Sequence, residues 1–103
     1  MERALARRPR LGERLFTDAE RALADGNARR LAARFCAKEA VAKALTLDGW
    51  NPREIEVLGG GGPPELFLHG AVAQRASELG VRVEISLTHT DLQAGAVALA
   101  VPE

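Results

Sequence analysis

Helix-period patterning fills the first half of the chain and strand-period patterning most of the second. Residues 28–46 contain no Gly and no Pro but seven Ala, and Leu31, Phe35, Ala42 and Leu45 recur at helical spacing. That pattern predicts one long amphipathic helix with its apolar stripe buried. Ahead of it, Thr17 is followed three residues later by Glu20, a capping-box signature. A helix over Asp18–Ala24 is predicted there, closed by Asp25-Gly26-Asn27. Residues 1–8, rich in Ala, Arg and Leu, predict a short helix that stops before Pro9.

The period changes after the loop Asp48-Gly49-Trp50-Asn51-Pro52. Residues 54–58 and 65–69 predict a hairpin of two short strands, turned by Gly59-Gly60-Gly61-Gly62 and Pro63-Pro64. Residues 71–79 predict a helix with Gly80 as its left-handed C-cap. From Val81 the alternation is strict: Val81, Val83, Ile85 and Leu87 share one face, Arg82, Glu84, Ser86 and Thr88 the other. Residues 95–101 predict a last strand with Val97, Leu99 and Val101 facing one way. Only residues 90–94 separate these two strands, so they should pair antiparallel. Helices first, then strands with one helix among them, is an α+β order.

A chain of 103 residues is the usual size of one domain and can bury a core without disulfides or metals. The single Cys36 excludes an intrachain disulfide framework, and with two His it leaves no Cys- or His-based zinc site. No apolar run approaches the ~20 residues that span a bilayer. The opening MERALARRPR carries four Arg with no apolar run behind it, so no secretory signal is expected. A soluble, cytoplasmic chain with no membrane partner is the expectation.

Net charge is zero, yet residues 1–43 hold nine Arg and two Lys against six acids, and residues 44–103 three Arg against eight. A basic first half suits an anionic partner. The Arg excess accompanies 19 Ala and reads as codon bias, which makes the two lysines, Lys38 and Lys43, more informative than any arginine.

Three constellations can carry chemistry. In Arg34-Phe35-Cys36-Ala37-Lys38-Glu39-Ala40-Val41-Ala42-Lys43, Glu39 and Lys43 stand one helical turn apart. A carboxylate at the edge of the stripe can hold Mg²⁺, and the lysine can neutralise a phosphate or protonate a leaving oxygen. The same spacing also describes an ordinary solvated helix pair. At a strand end, Ser86-Leu87-Thr88-His89-Thr90 sets a histidine between two hydroxyls, which suits a phosphate or equally a half-buried, hydrogen-bonded His. Arg3, Arg7, Arg8, Arg10 and Arg14 form a basic start. Arg3, Arg7 and Arg10 share a face if the helix continues through Pro9, and serve either as a solvated face or as a dock for an acidic surface. With zero net charge and 4% aromatics, nucleic acid is the poorer partner. The four-glycine run lacks the Lys-Ser/Thr of a phosphate loop and reads as a turn.

Taken in order, Arg34 to Leu45, Glu54-Ile55-Glu56-Val57, Gly62-Pro63-Pro64-Glu65-Leu66 and Ser86-Leu87-Thr88-His89-Thr90 resemble holo-acyl-carrier-protein synthase, the small 4′-phosphopantetheinyl transferase of bacterial fatty acid synthesis. The resemblance spans about residues 11–101. It implies that family's fold, an antiparallel sheet packed on a long helix, with residues 1–103 forming one domain. It implies transfer of 4′-phosphopantetheine from coenzyme A to a serine of apo acyl carrier protein. Glu39 then matches the family's Mg²⁺ ligand. Lys43 matches the lysine on the pyrophosphate, a candidate acid for the leaving group. Thr88, His89 and Thr90 match the strand end lining the coenzyme A site, with Pro64 in the neighbouring turn. Arg7, Arg10 and Arg14 fall where the family docks the acidic helix of its carrier protein. A homotrimer with sites at subunit interfaces is implied as well.

Two departures stand out. The family opens with a strand reading roughly Gly-Ile-Asp-Ile/Val, whose Asp is the second metal ligand, whereas this sequence opens at Met1-Glu2-Arg3; Met1 is expected to be an internal methionine. Thr46 stands where the family usually has Gly. Lack of that Asp also admits a catalytically inactive relative that binds carrier protein or coenzyme A. A basic nucleic-acid adaptor is a third reading.

Overall fold

The computed structural model describes residues 2–59, 62–89 and 94–103. The chain begins with α1 (Glu2–Arg7), which stops ahead of Pro9 as the sequence predicts. A second helix, α2 (Pro9–Leu15), was not foreseen. Pro9 breaks one helix and opens the next, because a proline at the first helical position lacks only an N–H that has no partner there. Arg8 between them is non-helical, with φ −129 and ψ 86. One continuous face through Arg3, Arg7 and Arg10 therefore does not form.

The next two helices have their ends set by side chains. In α3 (Asp18–Ala24) the capping box is complete: Thr17 Oγ1 accepts from Glu20 N at 3.2 Å and Glu20 Oε1 from Thr17 N at 2.9 Å. α4 (Ala28–Ala44) is capped by Asn27 Oδ1, which accepts from Arg29 N and Arg30 N. A short 3-10 turn (Pro52–Glu54) then leads into β1 (Ile55–Leu58), which pairs antiparallel with β2 (Glu65–Leu68), Ile55 opposite Leu68. α5 (Gly70–Leu79) follows and ends on Gly80 at φ 66, the expected left-handed cap. β3 (Val81–His89) and β4 (Ala94–Pro102) form a second antiparallel ribbon, Val81 opposite Pro102 and His89 opposite Ala94.

The core lies where α4 meets both ribbons and α5. Val41, Ala42, Leu45, Ile55, Val72 and Ala76 are buried together, and Leu66, Leu68, Val81, Val83 and Ile85 pack on them. The buried stripe of α4 differs from the expected one. Leu31 and Phe35 are only half-buried, while Arg34 and Lys38 go inside with Ala33, Ala37 and Val41. Hydrophobicity alone ranks lysine last for burial; here both basic side chains find enough oxygen acceptors to enter.

The ribbon register settles which way β4 faces. Ala96 and Ala98 stand opposite Leu87 and Ile85 on the inward face, with Ala98 packed on the core, while Ala100, opposite Val83, is exposed. Val97, Leu99 and Val101 stand opposite Ser86, Glu84 and Arg82, and Val97 and Leu99 are 59% and 60% exposed.

After α4 the chain turns at Thr46, whose φ is 55. That left-handed region costs a β-branched residue strain that glycine escapes, and the exposed Thr46 side chain offers little in return. Thr46→Gly is expected to stabilise the chain by about 0.5–1 kcal/mol, read from the urea unfolding midpoint. An unchanged or lower midpoint would show that the turn is not strained.

Candidate active site

α4 is the beam of the site, and a buried lysine fixes it. Lys38 is fully buried, as is Glu20 of α3. The Lys38 ammonium donates to Glu20 Oε1 at 2.7 Å, to the Pro52 carbonyl at 2.7 Å and to the Ile55 carbonyl. An ammonium has three donors, and each is matched by a named acceptor. Glu20 is equally engaged: Oε1 also takes the Thr17 N–H, and Oε2 takes the Val57 N–H at 2.9 Å. Burial pushes the Lys38 ammonium down from its usual range, and the Glu20 carboxylate opposes that shift.

Arg34, one turn earlier on α4, binds the other end of β1. Its Nε donates to the Val57 carbonyl at 3.0 Å and its Nη2 to the Gly59 carbonyl at 3.2 Å. Gly59, at φ 105, starts the turn that returns to β2. A Cβ there would meet the Pro63 carbonyl oxygen at 2.8 Å, so this turn needs glycine. Arg34 thereby steadies the turn that carries Pro64, which is half-buried just ahead of β2.

Glu39 and Lys43 occupy the opposite side of α4 and are exposed. Their spacing permits an ion pair with each other, yet among the described residues neither has a hydrogen-bond or ion-pair partner. A carboxylate and an ammonium one turn apart, both unpaired, can act on a third group bearing metal and phosphate. Among the described residues no three His, Cys, Asp or Glu side chains converge as a ready-made metal site.

The remaining expected site residues lie on other elements. Thr88 and His89 end β3, where their backbones pair with Gly95 and Ala94; their side chains, and Thr90 entirely, lie outside the described residues. Packing on the core takes in Val81, Val83 and Ile85 and stops short of Leu87, so this strand end runs on past the core. Arg10 and Arg14 are exposed on α2 and, with Arg8 and Leu11, line an open concavity of about 470 Å³. The Arg7 side chain is outside the described residues.

A further cluster, around Glu56, joins residues that local sequence pattern does not link. Thr17 Oγ1 donates to Glu56 Oε2 at 2.6 Å, and His69 Nε2 lies 3.1 Å from Glu56 Oε1. Thr17 was legible only as a cap and Glu56 only as a strand residue. Their contact spans 39 positions, so no local pattern could announce it.

A sequence profile described as the 4′-phosphopantetheinyl transferase superfamily matches residues 1–99. The holo-[acyl-carrier-protein] synthase of Streptomyces griseus subsp. griseus is 47% identical over 104 residues, covering 94% of this chain and 84% of that protein. Among solved structures, the acyl carrier protein synthase of Mycobacterium tuberculosis superposes with a TM-score of 0.77 at 35% identity, covering 99% of this chain and 90% of that one. The holo-[acyl-carrier-protein] synthase of Helicobacter pylori, solved in complex with coenzyme A, superposes with a TM-score of 0.79 at 21% identity, covering 96% and 89%, and shows the shared fold.

The Thr17–Glu56 contact has a consequence for acid stability. The hydrogen bond from Thr17 holds the Glu56 carboxyl below the ordinary glutamate range; burial opposes this, and His69 and Lys38 add to it. A carboxyl depressed in the folded state stabilises the fold above its unfolded pKa, and that contribution disappears as pH falls through the folded value. Glu56→Gln should therefore be less stable than the parent at pH 7, with the gap closing as pH drops below the ordinary glutamate range. Urea unfolding at a series of pH values reads this, and a gap independent of pH would show that the Glu56 charge does not contribute.

Proposed function

The chain belongs to the 4′-phosphopantetheinyl transferase superfamily, and we propose that Glu39 and Lys43, on the outer face of α4, carry its chemistry. The protein is a phosphopantetheinyl transferase of the holo-[acyl-carrier-protein] synthase kind. It transfers 4′-phosphopantetheine from coenzyme A to a serine of apo acyl carrier protein. In that reaction the serine oxygen bonds to the pantetheine-bearing phosphorus, and the bond from that phosphorus to the bridging pyrophosphate oxygen breaks. The serine proton is lost, and 3′,5′-adenosine bisphosphate leaves.

The observation that carries the site assignment is the unpaired state, among the described residues, of Glu39 and Lys43 on a helix whose two buried charged side chains, Arg34 and Lys38, are hydrogen-bonded inside the fold. A lone exposed carboxylate fits Mg²⁺, which takes one or two protein carboxylates and completes its shell with water and phosphate oxygens. Glu39 is the residue we assign to hold it; the ion would offset charge building on the phosphate oxygens. Lys43 places its ammonium against the pyrophosphate and can give a proton to the departing oxygen. Thr88, His89 and Thr90, with Pro64 of the turn ahead of β2, line the coenzyme A site in this reading.

Arg7, Arg10 and Arg14 dock the acidic face of the carrier protein. Such an association is steered by charge and weakens with salt. The exposed Val97 and Leu99 on β4 support assembly of the single domain into a homotrimer, since large apolar side chains side by side on a sheet face are the mark of a covered surface. Among the described residues no helix is long and apolar enough to cross a membrane. We place the reaction in the cytoplasm, where coenzyme A and carrier protein meet.

Glu39→Gln is expected to lower transfer by about 100-fold or more while leaving the melting temperature near that of the parent, because Glu39 is exposed. The intact mass of apo carrier protein after incubation with coenzyme A and Mg²⁺ reads the transfer, and full activity in this variant would remove Glu39 from the site. Arg14→Glu is expected to raise the KM for carrier protein about tenfold, roughly 1.4 kcal/mol, with the KM for coenzyme A unchanged. Equal rises in both constants would rule out a docking role.

A further inference from the structure

The proposed chemistry uses Glu39 and Lys43 and leaves unused a fully buried lysine beside them, Lys38. Lys38 precedes Glu39 in sequence and points the other way, into the interface of α4 with α3, the 3-10 turn and β1. Much of the remaining buried face of α4 is alanine: Ala32, Ala33, Ala37 and Ala42. Apolar contact is non-directional, and a face of methyl groups resists rolling or sliding of a helix only weakly. Hydrogen bonds are directional. An ammonium that must reach a carboxylate and two carbonyls on three different elements admits one roll and one axial position.

The same ammonium reaches toward the docking side of the molecule. Its carboxylate partner, Glu20, lies in the first turn of α3, directly after α2. Phe16, which closes α2, is fully buried, and the Lys38 ammonium lies 5.5 Å from its ring centroid. One buried charge thus holds both the end of the basic helix and the helix that presents Glu39 and Lys43.

We propose that Lys38 is a positioning residue for phosphopantetheine transfer: paired with Glu20, it sets where Glu39 and Lys43 stand relative to α2. This rests on the assignment of Glu39 and Lys43 given above. Lys38 touches no substrate in this scheme and acts through the two residues that do.

The test removes the charges together. Lys38→Met alone strands Glu20 in the interior and is expected to melt far below the parent. The Glu20→Gln/Lys38→Met double variant keeps the volume without either charge and is expected to recover much of the lost melting temperature. Assayed well below its melting point with Mg²⁺, coenzyme A and apo carrier protein, it is expected to show kcat lowered and the Mg²⁺ concentration for half-maximal rate raised, each about 10-fold or more, the scale at which loss of an orienting partner weakens a metal site. A purely structural pair would move the melting temperature and neither of these constants. Parental kcat and Mg²⁺ dependence in the double variant, with Glu39→Gln inactive, would overturn the positioning role alone. Full activity in Glu39→Gln would overturn the site assignment and this proposal with it. Should the double variant not fold, Glu20→Asp, which keeps both charges but draws the carboxylate back by one methylene, carries the same two readouts.

Discussion

One buried ammonium ties α3, the 3-10 turn and β1 to α4, the helix that carries Glu39 and Lys43. Withdrawing a lysine and a glutamate from water costs several kcal/mol per ion, and the cost is offset only when every donor and acceptor is met. Lys38 is met by Glu20, Pro52 and Ile55, and Glu20 in turn by Thr17 and Val57. The result joins the N-terminus of α3, the middle of α4, the 3-10 turn and β1 at one point. Arg34 repeats the arrangement one turn away, with the Val57 and Gly59 carbonyls as acceptors. Removing either partner of the central pair alone leaves an unpaired charge in the interior, a far greater loss than any surface ion pair supplies.

This anchoring divides α4 into faces with separate duties. One side is polar and locked to α3 and β1. Another, made of Val41, Ala42 and Leu45, packs on α5 and the ribbons. A third, carrying Glu39 and Lys43, is left to solvent. A helix can expose an unpaired carboxylate and ammonium at little cost because water solvates both, and that same freedom suits them to the metal and pyrophosphate roles proposed above. In this proposal stability and chemistry sit on one helix without competing for the same residues.

The other proposed contributors stand on separate elements: Pro64 in the hairpin turn, Thr88 and His89 at the far end of β3, Arg10 and Arg14 on α2. The β3 end extends beyond the packed core, and the outer face of β4 exposes Val97 and Leu99. Both features suit a strand pair whose surroundings are completed by other copies of the chain, which is the assembly proposed above.

Local patterns determined much of this protein without its tertiary structure. The capping box at Thr17 and Glu20, the left-handed Gly80, the alternation from Val81 and the antiparallel pairing of β3 with β4 all rest on contacts within a few residues, which a linear sequence records. The i, i+4 spacing of Glu39 and Lys43 was legible in the same way, though spacing alone does not separate a solvated pair from the working pair proposed above. Tertiary structure decided the rest. Lys38 is buried because its acceptors arrive from 14 to 18 positions away, and Thr17 reaches Glu56 across 39. Alternation states which residues of β4 share a face, but only the register with β3 and the packing on α4 determine that Ala96 and Ala98 turn inward while Val97 and Leu99 turn out. Pro9 announces a break in the chain, and only the packed fold shows a second helix beginning at it. Periodicity is a property of neighbours in sequence; burial and partnership are properties of neighbours in space.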